Sequence, residues 1–494
     1  MYGERDPRDP APVHRRLTEI EYVNWCFGQP YNMAVAVRLR GDVNADGLVT
    51  AIGRLRHRHP LLAVTTVVTA DGTPWLDSAG VGPVPVRVIH DAGPQDAARL
   101  LETEVATPFA VDLAPLPPGA PTAERTPLLR ACVLLPARPG DGTQAQPDAE
   151  TVAGADLVLC AQHVVADGLS MFFLVRDLLQ LLRDPDTPLA VLDAPARCEQ
   201  ILPPAAARRV HRTPTAALLT RAALRAHHAV RSRLPHRPPT TDGARGTNGT
   251  GGPVGPGGPG AESWSAPLHS WQLTPEQTAA LLGRCRAERV SVQSALCTAF
   301  LPHYTAINTP VSLRGRLAVD VGQSVGLFVG NAVVLRSYRG GHDFWWNAQA
   351  FHRRLRRAMR DPFLMIRMCS HAVPRPVVHE VMTRMMDLLG RRRPLAVTNL
   401  GVLDGAGLTL DAGRGPRIES FHGAMSGFAS ASVLTVYTID GAMHFHLRGR
   451  PFMTDDDVAR EAQRATDLLL GALHAPRPGR PLNGGVNSVP GTPE

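Results

Sequence analysis

Residues 162–168 read Gln-His-Val-Val-Ala-Asp-Gly. An apolar, strand-like run enters them: Leu157, Val158, Leu159, Cys160 and Ala161. A helix-like run leaves them, with Ser170, then Met171 to Val175, Leu178, Leu179, Leu181 and Leu182. A lone histidine on an apolar face is ordinarily a core residue satisfied by backbone groups. Here the Asp-Gly spacing and the strand–helix setting favour a histidine that takes a proton near neutral pH. The Asp-Gly pair predicts a sharp bend, because glycine accepts backbone angles that other residues resist. That bend carries Asp167 away from the His163 ring, to a cation elsewhere, and leaves the imidazole facing a cavity. A metal reading of His163 and Asp167 fails on number, since spacing places no third ligand.

Working outward, Met33 to Leu39 reads as a strand and Asn44 as a helix cap. Leu48, Ile52 and Leu55 form one apolar helical face. Residues 61–68 and 84–90 read as strands, and 136–154 as a polar loop on an exposed hairpin. Residues 235–260 hold nine glycines and six prolines in 26 positions. No core forms from that composition, so it reads as a flexible linker. The expected organisation is one lobe over 15–234, a linker over 235–262, a second lobe over 263–475 and a disordered tail over 476–494.

Order resumes near Trp264. Thr274 and Gln277 make a capping box for a helix to about Arg289. A second helix spans Ser291 to His303. Residues 317–337 read as strands and 343–393 as arginine-rich helix. Residues 394–403, 408–411 and 430–450 read as strands, and a last helix runs from about Thr454 to Leu473. Strands and helices mix in both halves, which defines an α/β chain.

The chain has 494 residues, 44% of them hydrophobic, enough for a large packed core. Its net charge is +8, and it contains no lysine, so all 52 basic residues are arginine. Codon bias in a GC-rich genome accounts for that choice; the functional reading is a surface that attracts acidic partners. The six tryptophans, six tyrosines and thirteen phenylalanines are not interleaved with a basic block, so nucleic acid is not indicated. An acidic carrier protein or a coenzyme phosphate fits the charge as well. Seven cysteines (Cys26, Cys132, Cys160, Cys198, Cys285, Cys297 and Cys369) include no Cys-x-x-Cys pair and suggest a reducing compartment. Met1 to Arg16 has no apolar signal core, and no run approaches the ~20 apolar residues of a membrane helix. A cytoplasmic protein without a transmembrane segment is expected.

Three further patterns carry less. Gly322-Gln323-Ser324-Val325-Gly326 spells a nucleophile elbow, which needs a strand before it and a helix after it. A strand-like run, Leu327 to Leu335, follows instead, so the match reads as chance. His227 and His228 lie in an arginine-rich helical stretch and read as solvated. His444 and His446 alternate in a strand and share a face, which reads as a surface pair ahead of the lining of a cavity. No Walker motif and no Gly-x-Gly-x-x-Gly after a strand occurs, so no bound nucleotide cofactor is expected.

The 162–168 segment resembles the His-His-x-x-x-Asp-Gly motif of the chloramphenicol-acetyltransferase-like superfamily. That group includes peptide-synthetase condensation domains, plant alcohol acyltransferases and polyketide-associated acyltransferases. The resemblance is nearest to the phthiocerol/phthiodiolone dimycocerosyl transferase type. It extends to Arg16-Leu17-Thr18-Glu19, Val35 to Leu39, Leu48 to Leu55 and His59-Pro60-Leu61-Leu62. In the second half it covers Val290 to Leu296, Val311-Ser312-Leu313-Arg314, Val325-Gly326 to Gly330-Asn331, and Val397-Thr398-Asn399-Leu400-Gly401.

The resemblance implies a two-lobed monomer, each lobe a mixed sheet with helices, around a central tunnel. It implies an acyl thioester donor, on coenzyme A or on the phosphopantetheine arm of a carrier protein, and an alcohol or amine acceptor. His163 would be the general base. Asp167, Gly168 and Arg314 would hold the site's shape, with Asp167 paired to Arg314. Two departures stand out. Gln162 occupies the place of the first motif histidine, at a strand position that points away from the active one. The Asp-Phe-Gly-Trp-Gly motif of the plant members is absent. Gln162 and Asn399 are the candidates for supporting the site or its oxyanion. The expected function is ester-forming acyl transfer in lipid, polyketide or other secondary metabolism. The alternatives are amide formation, or an inactive scaffold that docks a carrier protein.

Overall fold

The computed structural model describes residues 12–26, 30–93, 95–111, 125–136, 151–195, 198–211, 266–360, 375, 378, 393–403, 415–426, 431–450 and 452–474. The expected linker and tail, the strand expected at 408–411, and His227 and His228 lie outside the described residues.

In the first half, β1 (His14–Arg16) leads into α1 (Glu19–Cys26). Strand β2 (Asn32–Asn44) ends at Asn44, whose side chain accepts the N–H groups of Asp46 and Gly47 and so starts α2 (Ala45–Arg58). A cap of this kind is worth about 1 kcal/mol. Leu48, Ile52 and Leu55 are the buried face of α2. Residues 60–63 form a 3-10 turn where a strand was expected, because Pro60 presets a helical φ at its start. Then come β3 (Thr65–Val68), β4 (Pro74–Asp77), β5 (Val86–Ala92), α3 (Asp96–Ala106) and β6 (Leu129–Pro136). Strand β7 (Thr151–Gln162) begins inside the expected polar loop, and α4 (Gly168–Arg183), α5 (Cys198–Ile201) and α6 (Pro204–His211) follow.

The second half begins with β8 (Leu268–Leu273). Thr274 and Gln277 close the expected capping box on α7 (Pro275–Ala287), and Ser291 caps α8 (Val292–Phe300). The remaining elements are β9 (Ala306–Ser312), β10 (Val329–Leu335), α9 (Phe344–Ala358), β11 (Pro394–Val402), β12 (Arg417–Met425), β13 (Ser432–Ile439), β14 (Ala442–Arg448) and α10 (Asp455–His474). Residues 317–328 were expected as strand but run irregularly after a 3-10 turn at Arg314–Arg316. Gln323, Gly326 and Phe328 bond to α4 and its capping Asp167 instead. Gly326 shows how tight that course is: a Cβ there would lie 2.5 Å from the Phe328 ring.

Three sheets organise the described residues, in the orders β1-β4-β3, β12-β2-β7-β6-β5 and β10-β9-β11-β13-β14-β8. Strand β7 is central in the second, antiparallel to both β2 and β6. Alternation sends Leu157, Leu159 and Ala161 into a core with α2 and α4. It sends Val158 and Cys160 into a second core with α1 and α3. Burial on both faces is why this strand reads as an unbroken apolar run. The third sheet buries one face against α7, α8, α9 and α10. Strand β12 belongs to the second half of the chain yet pairs with β2 of the first, from Arg417 opposite Arg40 to Met425 opposite Met33. No described helix is long and apolar enough to cross a membrane.

Candidate functional site

Strand β7 ends at Gln162, residues 163–165 turn, and Asp167 caps α4. The turn is pinned at its start, because His163 donates its backbone N–H to Tyr31 O at 2.8 Å. The ring Nδ1 lies 2.8 Å from Ala166 O. A carbonyl only accepts, so Nδ1 carries the hydrogen and Nε2 keeps a free lone pair. The Tyr31 ring stacks on the imidazole at 5.0 Å between centroids and 15° between planes. His163 is 4% exposed. Burial pushes its pKa below the ordinary 6.5, outweighing the opposing pull of Ala166 O and of Asp167. The ring is therefore neutral at pH 7.

Asp167 directs its carboxylate elsewhere. Its Oδ1 accepts the backbone N–H of Ser170 at 2.8 Å, and its Oδ2 accepts the N–H of Phe328 at 3.0 Å. Arg314 Nη2 stands 3.4 Å from Oδ1. The same nitrogen donates to Ser170 Oγ at 3.0 Å, while Nη1 donates to Gly322 O at 3.0 Å and Ser324 O at 2.9 Å. The Ser170 hydroxyl proton can serve Asp167 Oδ1 at 2.7 Å or Gly326 O at 2.8 Å, and its oxygen accepts Gly326 N–H at 3.1 Å. The guanidinium also lies 4.5 Å from the centre of the Phe328 ring and 5.1 Å from that of Phe173. Ser170, Phe328 and Tyr31 were not anticipated. For Ser170 the signal was available, as a polar residue three positions after the capping aspartate.

Gly168 departs from expectation. It opens α4 and is not among the described glycines with positive φ, so the bend does not depend on glycine's special angles. Its value is space: a Cβ would sit 3.1 Å from Leu400 Cδ2. Gln162 is fully buried, with Oε1 3.5 Å from Thr66 Oγ1 and Nε2 without a hydrogen-bond partner among the described residues. Asn399, beside Leu400, is exposed, and its Oδ1 accepts Gly401 N–H at 2.9 Å. Thus His163, Asp167, Gly168, Gln162 and Arg314 meet at one turn, which Leu400, the neighbour of Asn399, reaches at Gly168.

A second grip lies further along α4. Asp177 Oδ2 is 2.6 Å from Arg58 Nε and 3.0 Å from His59 Nε2, and Oδ1 is 2.6 Å from Arg176 Nη2. Burial alone would raise this carboxyl, but His59, Arg176 and Arg58 outweigh it and hold it down to about 2. Arg58 and Arg176 both donate to Gln323 Oε1, at 3.3 and 2.8 Å. The elbow-like segment is therefore a contact loop. Ser324 Oγ donates to Asp193 O at 3.4 Å, and strand β10 follows rather than a helix.

His444 and His446 do share a face, both stacking on Tyr437. The expectation of a surface pair is corrected, since His446 is 3% exposed between β14 and the arriving β12. Among the described residues, no three His, Cys, Asp or Glu side chains converge on a metal site.

This mixed α/β fold is shared with solved condensation domains and with an O-acetyltransferase. Among solved structures it is similar to polyketide synthase associated protein 5 from Mycobacterium tuberculosis, with TM-score 0.55 and 16% identity over 94% of this chain and 99% of that one. It is similar to the first condensation domain of the CDA synthetase, with TM-score 0.58 and 18% identity over 93% and 96%. It is also similar to a trichothecene 15-O-acetyltransferase from Fusarium sporotrichioides, with TM-score 0.58 and 13% identity over 94% and 95%. At these identities the likeness is one of fold. No protein-family model matches the chain, and no curated protein matches it in sequence.

Proposed function

We propose that this protein is an acyltransferase that moves an acyl group from a thioester to an alcohol, with His163 as general base. The observation that carries the reading is the buried imidazole whose Nδ1 is committed to Ala166 O, which leaves Nε2 as a neutral acceptor. Nε2 takes the proton of the acceptor hydroxyl as its oxygen attacks the thioester carbonyl. The tetrahedral intermediate collapses, the carbon–sulfur bond breaks, and the thiolate leaves with the proton returned from Nε2. General-base action of this kind contributes about 10²–10⁴ in rate, and positioning and oxyanion stabilisation supply the rest. Gln162 and Asn399 are the candidates for the oxyanion. Asp167, Gly168 and Arg314 keep the turn in shape. The donor arrives on coenzyme A or on a carrier protein.

The fold is shared with a trichothecene 15-O-acetyltransferase and with the first condensation domain of the CDA synthetase. The ester reading follows the former and amide formation the latter. Gln162 supports a third reading, a carrier-docking scaffold without chemistry. Purified protein is incubated with acyl-coenzyme A or an acyl-carrier donor and a panel of alcohols and amines. Ester product that drops at least a hundredfold in His163→Ala is expected. Equal product from wild type and variant ends the catalytic reading, and product with amines alone ends the ester reading.

A further inference from the structure

Between residues 336 and 357 the chain carries Arg336, Arg339, Arg353, Arg354, Arg356 and Arg357 against one acid, Asp343. The stretch therefore holds five net positive charges, where the whole chain has eight. Folding gathers them at the outer end of β10 and along the solvent side of α9. Phe351 and Leu355 are buried, whereas Arg353, Arg354, Arg356 and Arg357 are exposed. Arginines on other helices find acids one turn away: Arg99 with Asp96, Arg284 with Glu288 and Arg460 with Asp457. These six do not, among the described residues. Arg354 donates to Leu335 O at 3.1 Å and Arg336 to Asn347 Oδ1 at 3.5 Å. Arg353 repels Arg356 and Arg357 at three and four residues' spacing. Burial and the charges of Arg354, Arg339 and Arg353 all push the Arg336 pKa down. Among the described residues, these like charges are held together without a carboxylate paired to them.

Two features identify what would supply that counter-charge. Val333 and Leu335 are 42% and 44% exposed on β10, the edge strand of its sheet, on the face opposite the one that Ala332 and Val334 pack against α9. This aliphatic strand edge runs into Arg336 at its end, and apolar surface continuous with arginine suits a protein partner. Nucleic acid fits less well, because Trp346 is already stacked by His342 at 3.7 Å and covered by Arg336 and Arg339. Position completes the argument. Phe328, just before β10, is bonded to Asp167 of the His163 turn, and Val329–Leu335 extends from there by roughly 20 Å at strand spacing. A phosphopantetheine arm is an extended chain of comparable length.

We infer that the arginine face formed by the end of β10 and the outer side of α9 docks an acidic carrier protein, which delivers the acyl thioester to the His163 turn. This rests on the acyl-transfer reading above. The probe is a phosphopantetheinylated acyl carrier protein of net negative charge, titrated against the full chain at 50 and 300 mM salt. Wild type is expected to bind, and to bind more weakly at high salt. Arg353→Glu/Arg357→Glu should lose at least tenfold in affinity at low salt and most of the salt dependence. The neutral Arg353→Gln/Arg357→Gln should fall between, with circular dichroism verifying the fold. A control of equal charge change, Arg286→Glu/Arg417→Glu, should bind nearly as wild type.

With turnover, the Arg353/Arg357 reversal should raise KM for the acyl-carrier donor and leave KM for acyl-coenzyme A unchanged. The inference is overturned if wild type does not bind the carrier, if the control weakens binding as much, or if both donors are affected alike. Tighter binding of a single-stranded oligonucleotide at the same face would overturn it too. If no product forms with any donor while carrier binding follows the expected pattern, acyl transfer fails and the docking surface stands.

Discussion

At the scale of one residue, His163 is a base only while neutral, and burial sets the pH where that ends. Its pKa lies below 6.5, chiefly because the folded site withholds water from the imidazolium. We expect kcat/KM to rise with pH through an apparent pKa below 6.5 and to be flat from there to pH 8. A pH–rate profile whose acidic limb lies above 6.5 would assign the limb to another group. The histidine, its aspartate and the strand–helix setting were legible as a motif. The tautomer was not, because it depends on Ala166 O folding back over three residues to meet Nδ1. The reading of Gly168 was misplaced for a similar reason: its neighbour Leu400 comes from more than two hundred residues away.

At the scale of the element, α4 does two jobs. Its apolar side fills a core, and its polar side holds the segment that runs from Leu313 to Phe328. Asp167, Ser170, Phe173 and Asp177 recur at helical spacing, so one stripe meets Arg314, Gly326 and Phe328 at one end and reaches Gln323 through Arg176 further along. Arg314→Ala removes a mostly buried cation from this stripe. Losing one member of a buried pair costs roughly 3–5 kcal/mol. Asp167 keeps its N–H donors from Ser170 and Phe328, so we expect about 3 kcal/mol in urea unfolding. A loss under about 1 kcal/mol would make the guanidinium a bystander. The apolar periods of α2, α4, α8 and α10 could be read from sequence because burial follows the helical repeat. The polar stripe could not, since polar residues on a helix read as its solvent face. Strand β12 escaped notice because a bulge between Ile418 and Ser420 breaks its alternation.

At the scale of the molecule, the crossover of β12 into the first-half sheet brings four strands together at one histidine. Tyr437 donates its hydroxyl proton to Phe421 O on β12. The Tyr437 oxygen must then accept from His446 Nε2, 2.9 Å away, which leaves His446 Nδ1 to accept from Ser270 on β8 at 2.7 Å. His422 Nδ1 of β12 lies 3.3 Å from that same Nδ1. Burial first, then His444 and Arg38, lower the His422 pKa, and Asp156 opposes them. Burial first, then His422 and His444, push the His446 pKa down to about 3. The unfolded chain takes up this proton near pH 6.5, and the folded chain only near 3. The contribution is therefore complete above pH 6.5 and is lost as pH falls through that window. At pH 5 the loss is about 2 kcal/mol, from a 1.5-unit displacement at 1.36 kcal/mol per unit. Urea unfolding at pH 7 and pH 5 checks this: His446→Gln should lose about 2 kcal/mol less than wild type between the two pH values. Equal losses would mean that the junction between the two sheets withstands acid independently of His446.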